Sequence, residues 1–154
     1  VIKAIKEIET QLVIIGKKTA YFKEINSYIL ENNLQNKVIF LENVELKELA
    51  SIYRMATVFI YPSVFEGFGI PIVEAYACRT NVITSNTTSM KELGQDRAFL
   101  VDPNSIDEIC DAINKASLNR DESKIEQNYQ FARNFTPINW FKGHFLKDQY
   151  ILPK

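Results

Sequence analysis

Short apolar runs alternate with amphipathic stretches along the chain, and this alternation predicts strands and helices in turn. Runs rich in β-branched and aromatic residues predict buried strands over 11–15, 37–41, 57–61, 81–84 and 98–101. Apolar residues at helical spacing predict helices over 1–8, 20–33, 45–55, 71–78, 89–93, 105–118, 121–133 and 137–148. Because the strands are apolar throughout, we expect a parallel sheet covered on both faces, in a doubly wound α/β fold.

The length bounds the number of domains. A chain of 154 residues corresponds to about one domain with a substantial core. We therefore predict a single domain over 1–154, made of an α/β core over 1–135 and a helical C-terminus over 136–154. The chain opens at Val1 inside a predicted helix, which suggests a fragment of a longer protein.

Composition excludes several classes of function. The formal net charge is −1 and basic residues form no cluster, so nucleic acid is not an expected partner. No apolar run reaches the roughly 20 residues of a membrane-spanning helix. Cys78 and Cys110 lie in apolar helical patterns and are interpreted as reduced thiols of a cytoplasmic protein. With His144 as the single histidine and no cluster with cysteine, we expect no metal site.

The most informative segment is the loop that joins strand 57–61 to the next helix. Gly67 and Gly69 allow backbone conformations and close approaches that a Cβ atom would prevent. Pro71 marks the helix start, where unpaired N–H groups and the helix dipole attract anions. In parallel sheets ligands bind beyond the carboxyl ends of the strands, and this loop lies there, as does Lys17 after strand 11–15. The alternatives are a plain strand-to-helix turn and an ordinary surface lysine.

Two carboxylates flank this loop in an E-x7-E spacing, Glu66 before the glycines and Glu74 in the expected first helical turn. Glu74 interrupts an apolar stretch, and a buried carboxylate requires a donor, so ribose hydroxyls are one candidate partner. A helix-dipole contact for Glu74 and a solvated position for Glu66 are the alternatives. Paired carboxylates also suit general acid/base chemistry, but hydroxyl recognition is favoured because no nucleophile with a base lies nearby.

The segment 61–78, together with 81–86 and 99–103, resembles the C-terminal half of retaining GT-B glycosyltransferases of family 4, and the similarity extends over about 12–140. The resemblance implies a Rossmann-like domain that binds a nucleotide sugar without a metal. It implies that Glu74 contacts the ribose and that Glu66 contacts the transferred sugar or stabilises charge developing on it. Backbone N–H groups of Phe68, Gly69 and Ile70 would face the sugar and diphosphate.

The same resemblance places Leu41 near the base, while Lys17 is a candidate to offset diphosphate charge. Arg79 and Asn81 stand where the family has glycine and proline, and Arg79 is expected to alter local geometry at a helix end that favours a left-handed residue. The family's first, central strand, its basic loop and its acceptor-binding domain are missing from this sequence. We expect either a sheet whose gap is closed by re-pairing or a fragment of a longer chain, with an increased chance of chain exchange or dimerisation.

The sequence thus predicts the donor half of a hexosyltransferase, using a UDP- or GDP-linked sugar and a glycan or lipid-linked acceptor, in bacterial polysaccharide synthesis. A mannosyltransferase is among the expected activities. The expected location is cytoplasmic, peripheral to the inner membrane for the full-length enzyme. The alternatives are a non-catalytic interaction module with a degenerate nucleotide site and a GT-B sugar-nucleotide epimerase.

Overall fold

The computed structural model describes residues 1–66 and 68–135. The predicted helix over 137–148 lies outside these residues. Elsewhere the predicted helices and strands are confirmed, with ends that differ by at most two residues. The elements are α1 (Ile2–Lys6), β1 (Leu12–Ile15), α2 (Phe22–Glu31), β2 (Val38–Leu41), α3 (Leu46–Met55), β3 (Val58–Tyr61), α4 (Ile70–Ala77), β4 (Asn81–Ser85), α5 (Thr88–Gly94), β5 (Phe99–Val101), α6 (Ile106–Leu118) and α7 (Glu122–Asn134).

All strand pairs in the described part of the chain are parallel, as predicted. β1 pairs with β2, with Leu12 opposite Val38, and β3, β4 and β5 form a second sheet in that order. Helices connect the successive parallel strands, which is the arrangement of an α/β fold.

The chain divides into two compact units, one of residues 1–45 and one that begins at Leu46. In the first unit, the Phe22 ring on α2 meets the Phe40 ring on β2 edge-on, with ring centroids 4.8 Å apart. On the same strands, Val13, Ile15 and Ile39 are 41%, 37% and 40% exposed. The prediction that strands 11–15 and 37–41 are buried is therefore wrong at these three positions.

The core of the second unit surrounds α4, whose residues from Ile72 to Ala77 are all buried. α4 packs against α7, where Tyr129 is buried. Arg79 follows α4 with a φ of 59°, the left-handed conformation expected at this position. Its guanidinium lies 3.6 Å from the centre of the Tyr129 ring and pairs with Glu126 at 3.2 Å. The contacts that Arg79 makes with α7 offset part of the backbone cost of a non-glycine residue.

Candidate functional site

Hydroxyl groups on β4 and α5 fix the backbone of the loop between β3 and α4. Each donates a hydrogen bond to a carbonyl of the segment that leads into the loop. The pairs are Thr84 Oγ1 to Tyr61 O (2.9 Å), Ser85 Oγ to Ser63 O (2.6 Å) and Ser89 Oγ to Glu66 O (2.8 Å). Thr84 and Ser85 are fully buried and Ser89 is partly buried, so these bonds tie the loop backbone to side chains of the protein interior.

Gly69 ends the loop and begins the helix. It is the N-cap of α4 in the left-handed conformation, with a φ of 78°. A Cβ atom here would lie 2.5 Å from Met90 Cε and 3.1 Å from Leu93 Cδ1, so Gly69 is required both for its backbone angle and for close packing. The Ile72 N–H donates to Gly69 O, and Pro71 has no N–H, so backbone donors for a ligand must come from Ile70 or the preceding loop.

Glu74 lies deeper in the helix than expected. Because α4 begins at Ile70, Glu74 occupies the second turn, and the prediction of a first-turn carboxylate is wrong. The side chain is only 8% exposed, and its Oε2 accepts a hydrogen bond from the Tyr53 hydroxyl at 3.1 Å. Burial raises the pKa of the Glu74 carboxyl, while the Tyr53 hydrogen bond acts in the opposite direction.

Glu66 precedes the glycines and is half-buried. Its Oε1 accepts a hydrogen bond from the Tyr61 hydroxyl at 2.5 Å, a short contact of the kind made by charged acceptors. Burial, together with the Glu66 hydrogen bond, raises the pKa of Tyr61 to about 12, so the phenol stays protonated and remains a donor. The Tyr61 hydroxyl thus restrains one oxygen of Glu66, while the side chain remains partly exposed.

The side chains around Glu66 are unusually apolar for an exposed loop. Val64 and Phe65 are 64% and 81% exposed. Phe68 is partly covered by Phe135, with the ring centroids 5.3 Å apart. Gly67 lies outside the described residues. The described part of the loop thus combines a held carboxylate with apolar side chains that face solvent.

Leu41 and Lys17 belong to the first unit and are described there. Leu41 ends β2, half-buried, and its carbonyl accepts a hydrogen bond from the Gly16 N–H at 3.1 Å. Lys17 is exposed. Its neighbour Lys18 is bound to Glu42, through the backbone N–H at 2.9 Å and through Nζ at 3.1 Å. Of the two lysines after β1, Lys18 is therefore held by Glu42, whereas Lys17 is exposed.

Sequence reasoning did not identify Tyr53, Tyr61 or Ser89 as site residues. Tyr53 appears in the sequence as one more aromatic on the apolar face of α3, and only the fold brings its hydroxyl to Glu74. Tyr61 carried a usable signal, because it ends a strand five positions before Glu66. Among the described residues no group of three or more His, Cys, Asp or Glu side chains could hold a metal ion.

Residues 1–134 match the family model of the glycosyl transferases group 1. The chain belongs to this family. The chain is 31% identical over 137 residues to the O-antigen chain mannosyltransferase RfbU of Salmonella typhimurium, covering 89% of this chain and 39% of that protein. It is 43% identical over 70 residues to the O-antigen chain mannosyltransferase B of Escherichia coli, covering 46% of this chain and 18% of that protein. The chain thus spans well under half the length of these relatives.

Solved structures confirm the expected fold. Anabaena Alr3699/HepE in complex with UDP-glucose aligns with 94% of this chain and 40% of its own, with a TM-score of 0.77 and 21% identity. The C-terminal domain of a glycosyl transferase group 1 family protein (LpcC) of Francisella tularensis aligns with 80% of this chain and 65% of its own, with a TM-score of 0.62 and 27% identity. The chain therefore has the Rossmann-like α/β fold of a GT-B domain. In the described part of the chain, no helix has the length and apolar character needed to cross a membrane.

Proposed function

We propose that this chain is the donor-binding half of a glycosyltransferase that moves a hexose, with retention, from a UDP- or GDP-linked sugar to a glycan or lipid-linked acceptor. One observation carries the proposal beyond family membership. Glu74 is buried at 8% exposure beside a glycine loop, with a tyrosine hydroxyl on one oxygen. A buried carboxylate in this position is costly unless further donors reach it, and ribose hydroxyls are suitable donors.

In the proposed arrangement, different residues of the second unit bind the ribose, the diphosphate and the sugar of the donor. Glu74 binds the ribose, and the N-terminus of α4 with the loop N–H groups of Gly67, Phe68, Gly69 and Ile70 binds the diphosphate and sugar. Glu66 lies before this helix terminus, and we assign it to the transferred hexose, where its negative charge stabilises positive charge developing on the sugar.

The proposed roles of Leu41 at the base and Lys17 at the diphosphate rest on the family resemblance. The mannosyltransferase relatives favour mannose as the transferred hexose, whereas the UDP-glucose complex of Alr3699/HepE favours a uridine donor. We also propose that donor binding requires no metal, with the helix dipole and basic side chains meeting the phosphate charge. The acceptor would bind to the part of the whole protein that this chain does not span, at the cytoplasmic face of the membrane.

Calorimetric titration of the chain with UDP, GDP and ADP, with and without EDTA, tests donor binding. We expect saturable binding of UDP or GDP that EDTA leaves unchanged. Glu74→Ala should weaken it by about 1–3 kcal/mol, or roughly 5- to 150-fold in dissociation constant, because hydrogen bonds to a charged acceptor are lost. Glu126→Ala is the matched control, since Glu126 is an exposed carboxylate of α7 that pairs with Arg79.

The outcomes separate the proposal from its alternatives. Absence of saturable binding would favour a non-catalytic module, and unchanged affinity in Glu74→Ala would contradict the ribose role. The epimerase alternative requires an assay of the whole protein, in which an epimerised nucleotide sugar would appear without any acceptor. Transfer of mannose or glucose to an acceptor, with the anomeric configuration kept, is the result expected from the proposal.

A further inference from the structure

Glu66 in the loop and Glu74 on α4 each accept a hydrogen bond from a tyrosine hydroxyl on one carboxylate oxygen. Tyr53 OH donates to Glu74 Oε2 at 3.1 Å, and Tyr61 OH donates to Glu66 Oε1 at 2.5 Å. The second oxygen of each carboxylate has no hydrogen bond to the described residues. Each side chain is thereby fixed in orientation and still has an oxygen with which to accept a donor from a ligand.

The two tyrosines are themselves locked by one aromatic side chain. The Phe59 ring meets the Tyr53 ring edge-on at 5.0 Å and stacks on the Tyr61 ring at 5.9 Å between centroids. Tyr53 comes from α3, whereas Phe59 and Tyr61 come from β3, so two elements set the hydroxyl positions. Aromatic packing of this kind restricts ring orientation and therefore where each hydroxyl points.

We infer that Tyr53 and Tyr61 are the positioning residues of Glu74 and Glu66, holding the two carboxylates so that their remaining oxygens face the hydroxyls of the bound donor. The inference rests on the proposed function and extends it to residues that do not themselves touch the donor. Holding a carboxylate in its binding orientation before the ligand arrives reduces the entropy lost on binding.

The charge states agree with this arrangement. Burial, reinforced by Glu74, raises the pKa of Tyr53, so it remains a donor at neutral pH. Among the described residues, Glu74 also interacts with Tyr61 on β3 and with Cys78 after α4. Burial raises the pKa of both groups, that of Cys78 to about 12, so both are neutral at neutral pH. Tyr53 thus supplies the hydrogen bond that favours the ionised form of Glu74.

Calorimetric titration of the full chain with UDP and GDP tests the Tyr53 pair. Tyr53→Phe removes only the hydroxyl and should weaken nucleotide binding about 2- to 12-fold, the range for one hydrogen bond. In the Glu74→Ala background the same change should have no further effect, because there is no carboxylate left to position. As pH is lowered, Glu74 becomes protonated and nucleotide affinity should fall. In Tyr53→Phe this fall should begin at a higher pH than in the parent chain, because loss of the hydrogen bond raises the pKa of Glu74.

Tyr76→Phe is the matched control. Tyr76 is buried in the same core, but its hydroxyl donates to the Leu93 carbonyl at 3.3 Å and not to a carboxylate. The Tyr76→Phe substitution should lower thermal stability without changing the pH dependence of nucleotide binding. The inference is overturned if Tyr53→Phe leaves affinity unchanged, or weakens it equally in the Glu74→Ala background.

The Tyr61 pair is tested by comparing UDP-glucose and GDP-mannose with UDP and GDP. Tyr61→Phe should reduce the affinity for the sugar nucleotide relative to the free nucleotide, and the effect should vanish in a Glu66→Ala background. An unchanged ratio overturns the Tyr61 assignment. If the parent chain binds no nucleotide, or Glu74→Ala has no effect, the proposed function fails and the inference fails with it. If Glu74→Ala weakens binding but Tyr53→Phe does not, only the inference fails.

Discussion

Substitution of Gly69 by alanine tests whether the helix terminus at the site depends on this one residue. The backbone there has a φ of 78°, which costs a residue with a Cβ about 1–2 kcal/mol. The new methyl group would lie 2.5 Å from Met90 Cε, and Met90 is fully buried, so repacking adds about 1–3 kcal/mol. The expected decrease in the free energy of unfolding of Gly69→Ala is therefore about 2–5 kcal/mol.

Urea unfolding followed by far-UV circular dichroism measures this loss. The two contributions separate in a Met90→Ala background, which removes the clash with Met90 and leaves the close approach to Leu93 Cδ1 at 3.1 Å, so the loss should fall towards the backbone cost of about 1–2 kcal/mol. Nucleotide affinity of the folded Gly69→Ala variant should fall as well, because the N-terminus of α4 shifts. A loss below about 1 kcal/mol, or equal losses with and without Met90, would refute the reasoning.

Two further predictions concern buried polar groups of the second unit. Burial raises the pKa of Glu74 in the folded protein above its ordinary value of 4.5. The folded protein therefore binds more protons at Glu74 than the unfolded chain does, and its free energy of unfolding should fall as pH rises from 4.5 through the raised pKa. Urea unfolding of Glu74→Gln should lack this part of the pH dependence. The buried Tyr129 hydroxyl has no hydrogen-bond partner among the described residues, so Tyr129→Phe should change stability by between zero and about +1 kcal/mol in thermal unfolding. Tyr76→Phe loses a hydrogen bond to Leu93. A destabilisation as large as this in Tyr129→Phe would contradict the prediction that the Tyr129 hydroxyl adds no hydrogen bond to the folded protein.

The sequence predicted local structure well because apolar periodicity and glycine and proline placement act over a few residues. The loop from Tyr61 to Ile70 was located correctly for this reason. The start of α4 was misplaced by one residue, because the sequence favours Pro71 as the first helical position, whereas the left-handed Gly69 starts the helix at Ile70. This single step moved Glu74 from the first turn to the second.

Features that depend on tertiary packing were beyond the sequence. Val13 and Ile15 are apolar, yet the structure leaves them exposed, since burial depends on which elements cover a sheet and not on strand composition alone. The partners of Glu66 and Glu74 were also not predicted. Tyr53 lies 21 positions from Glu74 in sequence, and no local pattern specifies such a hydrogen bond.

The hydroxyl groups that hold the loop have a consequence for protein engineering and for divergence between relatives. They donate to carbonyls of Tyr61, Ser63 and Glu66, so the neighbouring β4 and α5 help to set the path of the loop. Val64 and Phe65 project from this path into solvent. Because the side chains at these two positions contribute little to the packing, we expect substitutions there to leave the backbone path unchanged, so that the surface of the loop can differ between relatives while the fold is kept.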